Sequence, residues 1–147
     1  MEEIIKKLDN NLKVLNYEYV NDTLIIDLER TNNAEVCPCC GRKSKSIHSR
    51  YIRIIKDLPI KEYKVILNIT AKVFCCKNEK CSTNTFTEHF DFIESHSRMT
   101  TRLKEKVIDN SKGMSARASK AVINNGLVDI SDDTILRLLK KNNRPNR

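Results

Sequence analysis

The chain contains Cys37-Pro38-Cys39-Cys40-Gly41 and, further along, Cys76-Lys77-Asn78-Glu79-Lys80-Cys81. Each stretch can offer two thiolates from one turn, and four thiolates make a closed tetrahedral zinc site. A Cys₄ set suits Zn²⁺ and leaves no open coordination position, so the metal would be structural. We therefore expect Cys37, Cys40, Cys76 and Cys81 to bind one Zn²⁺ ion, whose binding free energy contributes to folding.

Other side chains compete for this role. Cys39 and Cys75 each stand next to an expected ligand, and they are either small core residues or rivals for the metal. Unligated buried thiols are the alternative to the whole site. His48, His89 and His96 are further possible ligands, although contact with phosphate or an ordinary surface position is the preferred interpretation.

The N-terminus and the cysteines also indicate in which cellular compartment the chain is expected. The N-terminus, Met1-Glu2-Glu3-Ile4-Ile5, is acidic and mixed, so it is not a signal peptide. No stretch approaches the roughly 18 apolar residues of a membrane span. We therefore expect a soluble cytoplasmic chain, where cysteines more often bind metal than form disulfides. With 147 residues, 5% aromatic residues and no tryptophan, its hydrophobic core would be small and would need an additional stabilising link such as a bound metal.

The net charge of +8 is distributed unevenly. Residues 1–36 carry 4 basic and 8 acidic side chains, residues 37–96 carry 11 and 6, and residues 97–147 carry 12 and 5. A basic middle and C-terminal part favours a polyanionic partner, most simply nucleic acid. The alternative is a lysine-rich surface that serves solubility alone.

The first two thirds of the sequence predict a short helix and several strands. Apolar residues at helical spacing indicate a helix over residues 2–13. Residues 17–20 and 23–29 predict two strands joined by a turn at Asn21-Asp22. Residues 51–56 alternate and stop at Asp57-Leu58-Pro59. The run 62–76 alternates with Val65, Leu67, Ile69, Ala71 and Val73 on one face, and residues 87–97 are interpreted as a connector.

The last third predicts three helices, over residues 100–111, 115–124 and 132–141. Gly113 ends the first, and Asn124-Asn125-Gly126 ends the second. Ser131 supplies an N-cap for the third, and Asp132 and Asp133 supply its first-turn acids. We expect an α+β fold, in which a small antiparallel β zinc-ribbon module over residues 1–96 precedes a three-helix helix-turn-helix module over residues 97–147.

Several motifs together resemble a known family. Cys37-Pro-x-Cys40-Gly41, His48-Ser-Arg-Tyr-x-Arg53, Asp57-Leu-Pro59 and Phe74-x-Cys76-x-Asn78-x-x-Cys81 are similar to the N-terminal zinc-binding region of ISL-type bacterial insertion-sequence transposases. Ile130-Ser-x-Asp-Thr-Ile-Leu-Arg137 is similar to the helix-turn-helix that follows in those enzymes. The resemblance implies a nucleoid-associated protein that binds double-stranded DNA, namely the terminal repeats of an insertion sequence.

The expected DNA contacts follow from how helix-turn-helix proteins place their second helix in the major groove. Thr134 and Arg137 are expected at base edges, because arginine commonly pairs with guanine. Lys140 and Lys141, together with Arg117 and Lys120 on the preceding helix, are expected at phosphates. Arg50 and Arg53 of the zinc module would give a second contact. The alternatives are a helical bundle with a solvated charged face and a ribbon that only supports the fold.

In that family a catalytic domain with acidic metal ligands follows the helix-turn-helix, whereas this sequence stops at Arg147. We expect a DNA-binding protein and not an enzyme. Two other classes remain open. The chain is either the targeting subunit of a split transposase, acting with a catalytic transposase chain or as a homodimer, or an adaptor that binds proteins.

Overall fold

The computed structural model describes residues 1–124 and 127–142, apart from the side chains of Ala116, Val122, Asp132 and Asn142. The chain has an α+β fold with a strand-rich sheet and a small separate ribbon. The elements in chain order are α1 (Glu2–Lys6), β1 (Leu12–Val20), β2 (Thr23–Arg30), β3 (Glu35–Val36), β4 (Lys43–Ser44), β5 (Ile47–Ile60), β6 (Tyr63–Cys75), β7 (Thr85–Thr87), α2 (Thr101–Ser111), α3 (Ala116–Asn124) and α4 (Asp132–Asn142).

The main sheet has the strand order β1-β2-β6-β5, and β7 also pairs with β6. Asn21 and Lys61 adopt positive φ in the two-residue turns that join β1 to β2 and β5 to β6, as tight hairpins require. In β2, Leu24, Ile26 and Leu28 are buried in alternation, which confirms the predicted half-buried strand. β3 and β4 pair antiparallel as a sheet of their own, so the first cysteine turn lies outside the main sheet.

The predicted helix over residues 2–13 is wrong beyond its first turns. Helix α1 ends at Lys6, and Leu12 is the first residue of β1, where it is 1% exposed. The Asp9 carboxylate accepts a hydrogen bond from Asn11 N–H at 2.9 Å, a local bond that favours a turn over helix. Leu8 therefore lies in the turn after α1 and Leu12 in β1, so their helical spacing does not come from one helix.

The predicted end of a strand at Asp57-Leu58-Pro59 is also wrong, because β5 continues to Ile60. Proline lacks the N–H group that a central strand needs, but β5 lies at the edge of the sheet, where proline is tolerated. The predicted hydrophobic face of β6 is confirmed for Val65, Leu67, Ile69 and Ala71, which are all buried.

Val73 departs from that face. It is half-buried, whereas Lys72 and Phe74 beside it are buried. The ammonium group of Lys72 donates to the carbonyl oxygens of Arg30 at 2.7 Å and Asn32 at 2.8 Å. These bonds offset the cost of burying a lysine.

Helices α2, α3 and α4 share one apolar core. It is formed by Met99, Leu103, Val107, Ile123, Val128 and Ile135. Leu138 and Leu139 of α4 pack against it, while Asp133, Arg137 and Lys140 are exposed. Ser131 Oγ accepts from Thr134 N–H at 3.2 Å, which confirms the predicted N-cap. The expected turn residues Asn125 and Gly126 and the side chain of Asp132 lie outside the described residues.

The chain divides into two compact units. One comprises Met1–Tyr17, Ile26–Ile54 and Leu67–Phe92, and the other comprises Glu18–Ile25, Ile55–Ile66 and Ile93–Arg147. The boundary after residue 96 stays a prediction. Over residues 1–124 and 127–142, every helix falls short of the length and apolar character that a bilayer span needs.

A buried carboxylate holds the start of α2. Asp57 is 2% exposed, and it accepts hydrogen bonds from Thr100 Oγ1 at 2.7 Å and from Arg102 Nε at 2.9 Å. Arg102 Nη2 also donates to the second carboxylate oxygen, which completes a bidentate pair. Hydrogen bonding to Asp57 raises the pKa of Arg102. Thr100 is the N-cap of α2, because its hydroxyl accepts from Leu103 N–H.

We expect Asp57→Ala to lower the free energy of unfolding by about 2–4 kcal/mol, because it leaves Thr100 and part of Arg102 without their buried partner. Urea unfolding of the zinc-loaded protein measures this change. Asp91→Ala is the matched control, since the exposed Asp91 pairs with an exposed His89 at 2.9 Å. Its effect should stay within about 0.5 kcal/mol. Equal losses in the two variants would contradict the role given to Asp57.

Candidate metal centre

The first cysteine pair lies in the tight turn between β3 and β4. Cys37 N–H donates to the Arg42 carbonyl at 2.9 Å, and Gly41 N–H donates to the Cys37 carbonyl at 2.9 Å. Gly41 has a φ of 76°, a left-handed conformation that glycine adopts without the strain a side chain would cause. The turn therefore brings Cys37 and Cys40 to the same side of the hairpin.

The second pair lies in the loop between β6 and β7. Cys76 N–H donates to the Asn84 carbonyl at 2.9 Å, and Cys81 N–H donates to the Asn78 carbonyl at 3.0 Å. The Asn78 side chain adds a bond from Lys80 N–H at 3.1 Å. Asn78 therefore stabilises this loop. The sequence indicates this role only because Asn78 stands between the two cysteines.

The four sulfur atoms converge. Cys37 Sγ lies 3.9 Å from Cys81 Sγ, and Cys40 Sγ lies 3.6 Å from Cys76 Sγ. All four sulfur atoms lie within 4.8 Å of one another. A regular tetrahedron with Zn–S bonds of about 2.3 Å has S–S edges of about 3.8 Å, so the residues present fit a zinc ion. Each hairpin contributes one sulfur to each of the two close pairs.

The surroundings of these thiols shift their pKa values in opposite directions. Hydrogen bonding to the Arg42 backbone, then to the Asn78 side chain, lowers the pKa of Cys40 to about 6. Although the Thr83 backbone opposes the change, desolvation and the neighbouring thiols raise the pKa of Cys81 to about 12. Although the Asn78 backbone opposes the change, desolvation and the Cys40 and Cys37 thiols also raise the pKa of Cys76. Because the thiol pKa values of Cys76 and Cys81 are raised, metal binding at these residues must release protons.

A small apolar cluster supports the sulfur atoms. Cys37, Phe74 and Phe86 are buried together, and Cys40, Cys76 and Cys81 pack against them. The rings of Phe74 and Phe86 stack with centroids 5.9 Å apart and an interplanar angle of 20°. These two residues are neighbours across the β6–β7 ladder, which aligns the strands on both sides of the second cysteine pair.

The other sulfur and imidazole groups are not part of this cluster. Among the described residues, the group able to hold a metal ion comprises the four cysteines and no histidine. Cys39 is exposed, and its sulfur lies 3.8 Å from Ser82 Oγ. His89 pairs with Asp91 on the surface.

The expected DNA-contacting residues of α3 and α4 have different surroundings. Arg117, Arg137 and Lys140 are exposed, whereas Lys120 and Thr134 are half-buried. The Thr134 hydroxyl lies 2.9 Å from Ser131 Oγ, so the cap already engages it.

Lys141 is exposed, and its ammonium group lies 3.2 Å from a Glu94 carboxylate oxygen. Lys104 contacts the same oxygen at 2.8 Å, and its hydrogen bond, with that of Lys141, lowers the pKa of Glu94. Lys141 is therefore partly neutralised within the chain. In the other unit, Arg50 is exposed and Arg53 is half-buried.

Comparison with known proteins assigns the segment that carries the sulfur cluster. Residues 33–81 match the family described as the zinc-finger of transposase IS204/IS1001/IS1096/IS1165. The chain is 31% identical over 83 residues to the transposase for insertion sequence element IS1001 of Bordetella parapertussis. That alignment covers 56% of this chain and 20% of the relative, so the chain spans about a fifth of the relative's length. No solved structure matches the chain.

We expect metal analysis of the purified protein to find about one zinc ion per chain. Cys40→Ser and Cys76→Ser should abolish stoichiometric zinc and unfold the segment 37–81, because three ligands no longer close the tetrahedron. Cys39→Ser and Cys75→Ser are matched controls that replace the adjacent sulfur atoms, and both should retain zinc. Zinc loss in the controls, or an intact segment in strong chelator, would contradict the ligand assignment.

Proposed function

We propose that this chain, whose residues 33–81 are a zinc finger of insertion-sequence transposases, is a zinc-dependent, sequence-specific DNA-binding protein. The Zn²⁺ ion held by Cys37, Cys40, Cys76 and Cys81 is structural. Helices α2–α4 form the helix-turn-helix module, and the DNA recognised is the terminal repeat of an insertion sequence. The distances between the four sulfur atoms and the family match support the zinc site. The arrangement of residues on α4 supports the helix-turn-helix.

The observation that carries the DNA proposal is the division of α4 into two faces. Ile135 is fully buried in the core shared with α2 and α3, while Arg137 and Lys140 are exposed. A helix fixed along one side and cationic along the other meets the steric and electrostatic needs of the major groove. We assign Arg137 to base edges and Lys140 to a phosphate.

The residue that precedes the cap of α4 is also held in place, as a recognition helix requires. The Asn124 side chain donates to the Ile130 carbonyl at 3.1 Å and accepts from Ile130 N–H at 3.1 Å. This pair of bonds ties the end of α3 to the residue that precedes the Ser131 cap. Arg117 and Lys120 of α3 would then contact phosphates beside the groove, with Thr134 near the bases.

The basic residues of the zinc-containing unit would add a second, sequence-independent contact. Arg50 is exposed on β5, and Arg53 lies three residues along the same strand. Contacts of this kind position a protein on the duplex through phosphates and carry no sequence information of their own.

Strand transfer to DNA would need carboxylates that hold divalent ions. In residues 1–124 and 127–142, the cluster able to hold a metal consists of cysteine sulfur atoms, which suit a structural zinc. We therefore assign recognition to this chain and strand transfer to acidic residues elsewhere, in a catalytic transposase chain or domain.

Selection of bound sequences from a random DNA pool, with zinc-loaded protein, tests the proposal. Recovery of insertion-sequence ends supports it. Failure to bind any duplex at moderate salt, together with stoichiometric capture of a protein partner, would favour the adaptor function instead.

Arg137→Ala should weaken binding to the selected site by about 1–3 kcal/mol and relax the preference at one base position. The physical reason is the loss of a bidentate contact to a base edge. Competition between the selected site and single-base variants measures both effects. An unchanged footprint and preference would remove α4 from the groove.

Lys140→Ala should weaken all duplexes similarly and flatten the slope of log affinity against log salt by about one. Lys141→Ala is the comparison variant, because Lys141 is already paired with Glu94 and should release fewer counterions on binding. Titrations at several salt concentrations measure the slopes. A loss confined to the selected site would contradict the phosphate role of Lys140.

A further inference from the structure

Over the residues that the structure describes, part of the outer edge of β5 offers unpaired backbone to a further strand. β5 is the last strand in the sheet order and is long, running from Ile47 to Ile60. Its residues 48–54 include the exposed Tyr51, Ile52 and Ile54, which are 44%, 65% and 63% exposed. A long edge strand with exposed apolar residues is a template for pairing with another strand.

The chain itself shows which backbone groups face outward. Lys56 N–H donates to the Arg98 carbonyl, and the Lys56 carbonyl accepts from Thr100 N–H, both at 2.9 Å. The segment around Met99 therefore forms a parallel bridge on this edge. Outward groups recur at every second residue of a strand, so those of residues 48, 50, 52 and 54 also face outward. On the inner side that stretch belongs to β5 paired with β6, and within the described part of the chain no strand pairs with its outer side.

We propose that residues 48–54 pair antiparallel with the same residues of a second copy, about a two-fold axis at Tyr51. The bridge at Lys56 closes the edge on one side, and β5 begins at Ile47 on the other. Tyr51 is the midpoint of the stretch left open. Antiparallel pairing there sets residue 48 against 54 and residue 50 against 52, and it forms about eight backbone hydrogen bonds.

The charges of the strand select this register over its neighbours. Registers centred on Arg50 or Arg53 set like charges directly opposite, which is unfavourable. A register centred on Ile52 sets residue 48 of the second strand opposite Lys56. The second strand would then overlap the segment around Met99, which already pairs with Lys56. With the axis at Tyr51, the two Tyr51 rings face each other, Arg50 lies opposite Ile52, and Arg53 lies opposite Ser49. The partner is therefore a second copy, because the strand complements itself.

Sedimentation equilibrium of the zinc-loaded protein at about 100 µM and high salt tests the proposal. We expect a dimer that strengthens with salt, because the arginines of the two strands repel and salt screens them. Association through bound nucleic acid would weaken with salt instead. A monomer under these conditions, or a dimer that dissociates as salt rises, would overturn the proposal.

Variants test the register. Ile52→Lys sets a lysine opposite Arg50 at both ends and should raise the dissociation constant at least about tenfold. Adding Arg50→Glu to Ile52→Lys replaces that repulsion with attraction and should restore the dimer. Leu15→Lys is the matched control on β1, the opposite edge, where Leu15 is 48% exposed.

Zinc content and thermal unfolding should match the parent chain in all these variants. An Ile52→Lys chain that remains dimeric, or a double variant that stays monomeric, would overturn the pairing. A Leu15→Lys chain that is monomeric would also overturn the proposal. That result would indicate that β5 of one copy pairs with β1 of the next.

Discussion

Four sulfur atoms from two hairpins must meet within a few ångströms for the two cysteine turns to keep their fold. The apolar support around these atoms is small, since Cys37, Phe74 and Phe86 are its buried members. Without a cation, desolvation and the neighbouring thiols raise the pKa values of Cys76 and Cys81, which makes their thiolates unfavourable. A structural zinc ion removes that penalty and contributes free energy of order 10 kcal/mol to folding. The cysteine turns therefore depend on the metal more than on the apolar cluster beside them.

Several of the lysines that make the chain basic form hydrogen bonds within the fold, so composition alone overstates the positive surface. Lys72 is buried on carbonyl oxygens, and Lys56 and Lys64 both bind Asp129, at its carbonyl and its carboxylate respectively. The Asp129 hydrogen bond is the largest cause of the raised pKa of Lys64. These lysines stabilise the fold and are not a surface for polyanions. Among the residues that the structure describes, fewer cationic groups are therefore available, and the proposed DNA contacts depend on single residues such as Arg137 and Lys140.

Local patterns predicted much of the fold and failed where tertiary context decides. The turn at Asn21-Asp22, the alternation in β6 and the cap at Ser131 act over a few residues, and the structure has all three. Leu12 was misassigned because an apolar residue at helical spacing also suits the first position of a buried strand. Pro59 was misread as a strand end because edge position cannot be known without the strand order. The cysteine spacing predicted a zinc site. Asn78 and Asp57 stand in motifs of the resemblance, whereas their bonding partners, Lys80 N–H and Arg102, cannot be known without the three-dimensional structure.

Zinc-edge X-ray absorption of the purified, metal-loaded chain reports directly on the ligands of the metal. We expect one shell of four sulfur atoms at about 2.3 Å, without nitrogen or oxygen among the ligands. A shell containing nitrogen or oxygen ligands, or fewer than four sulfur atoms, would contradict the convergence of the two cysteine hairpins on one ion.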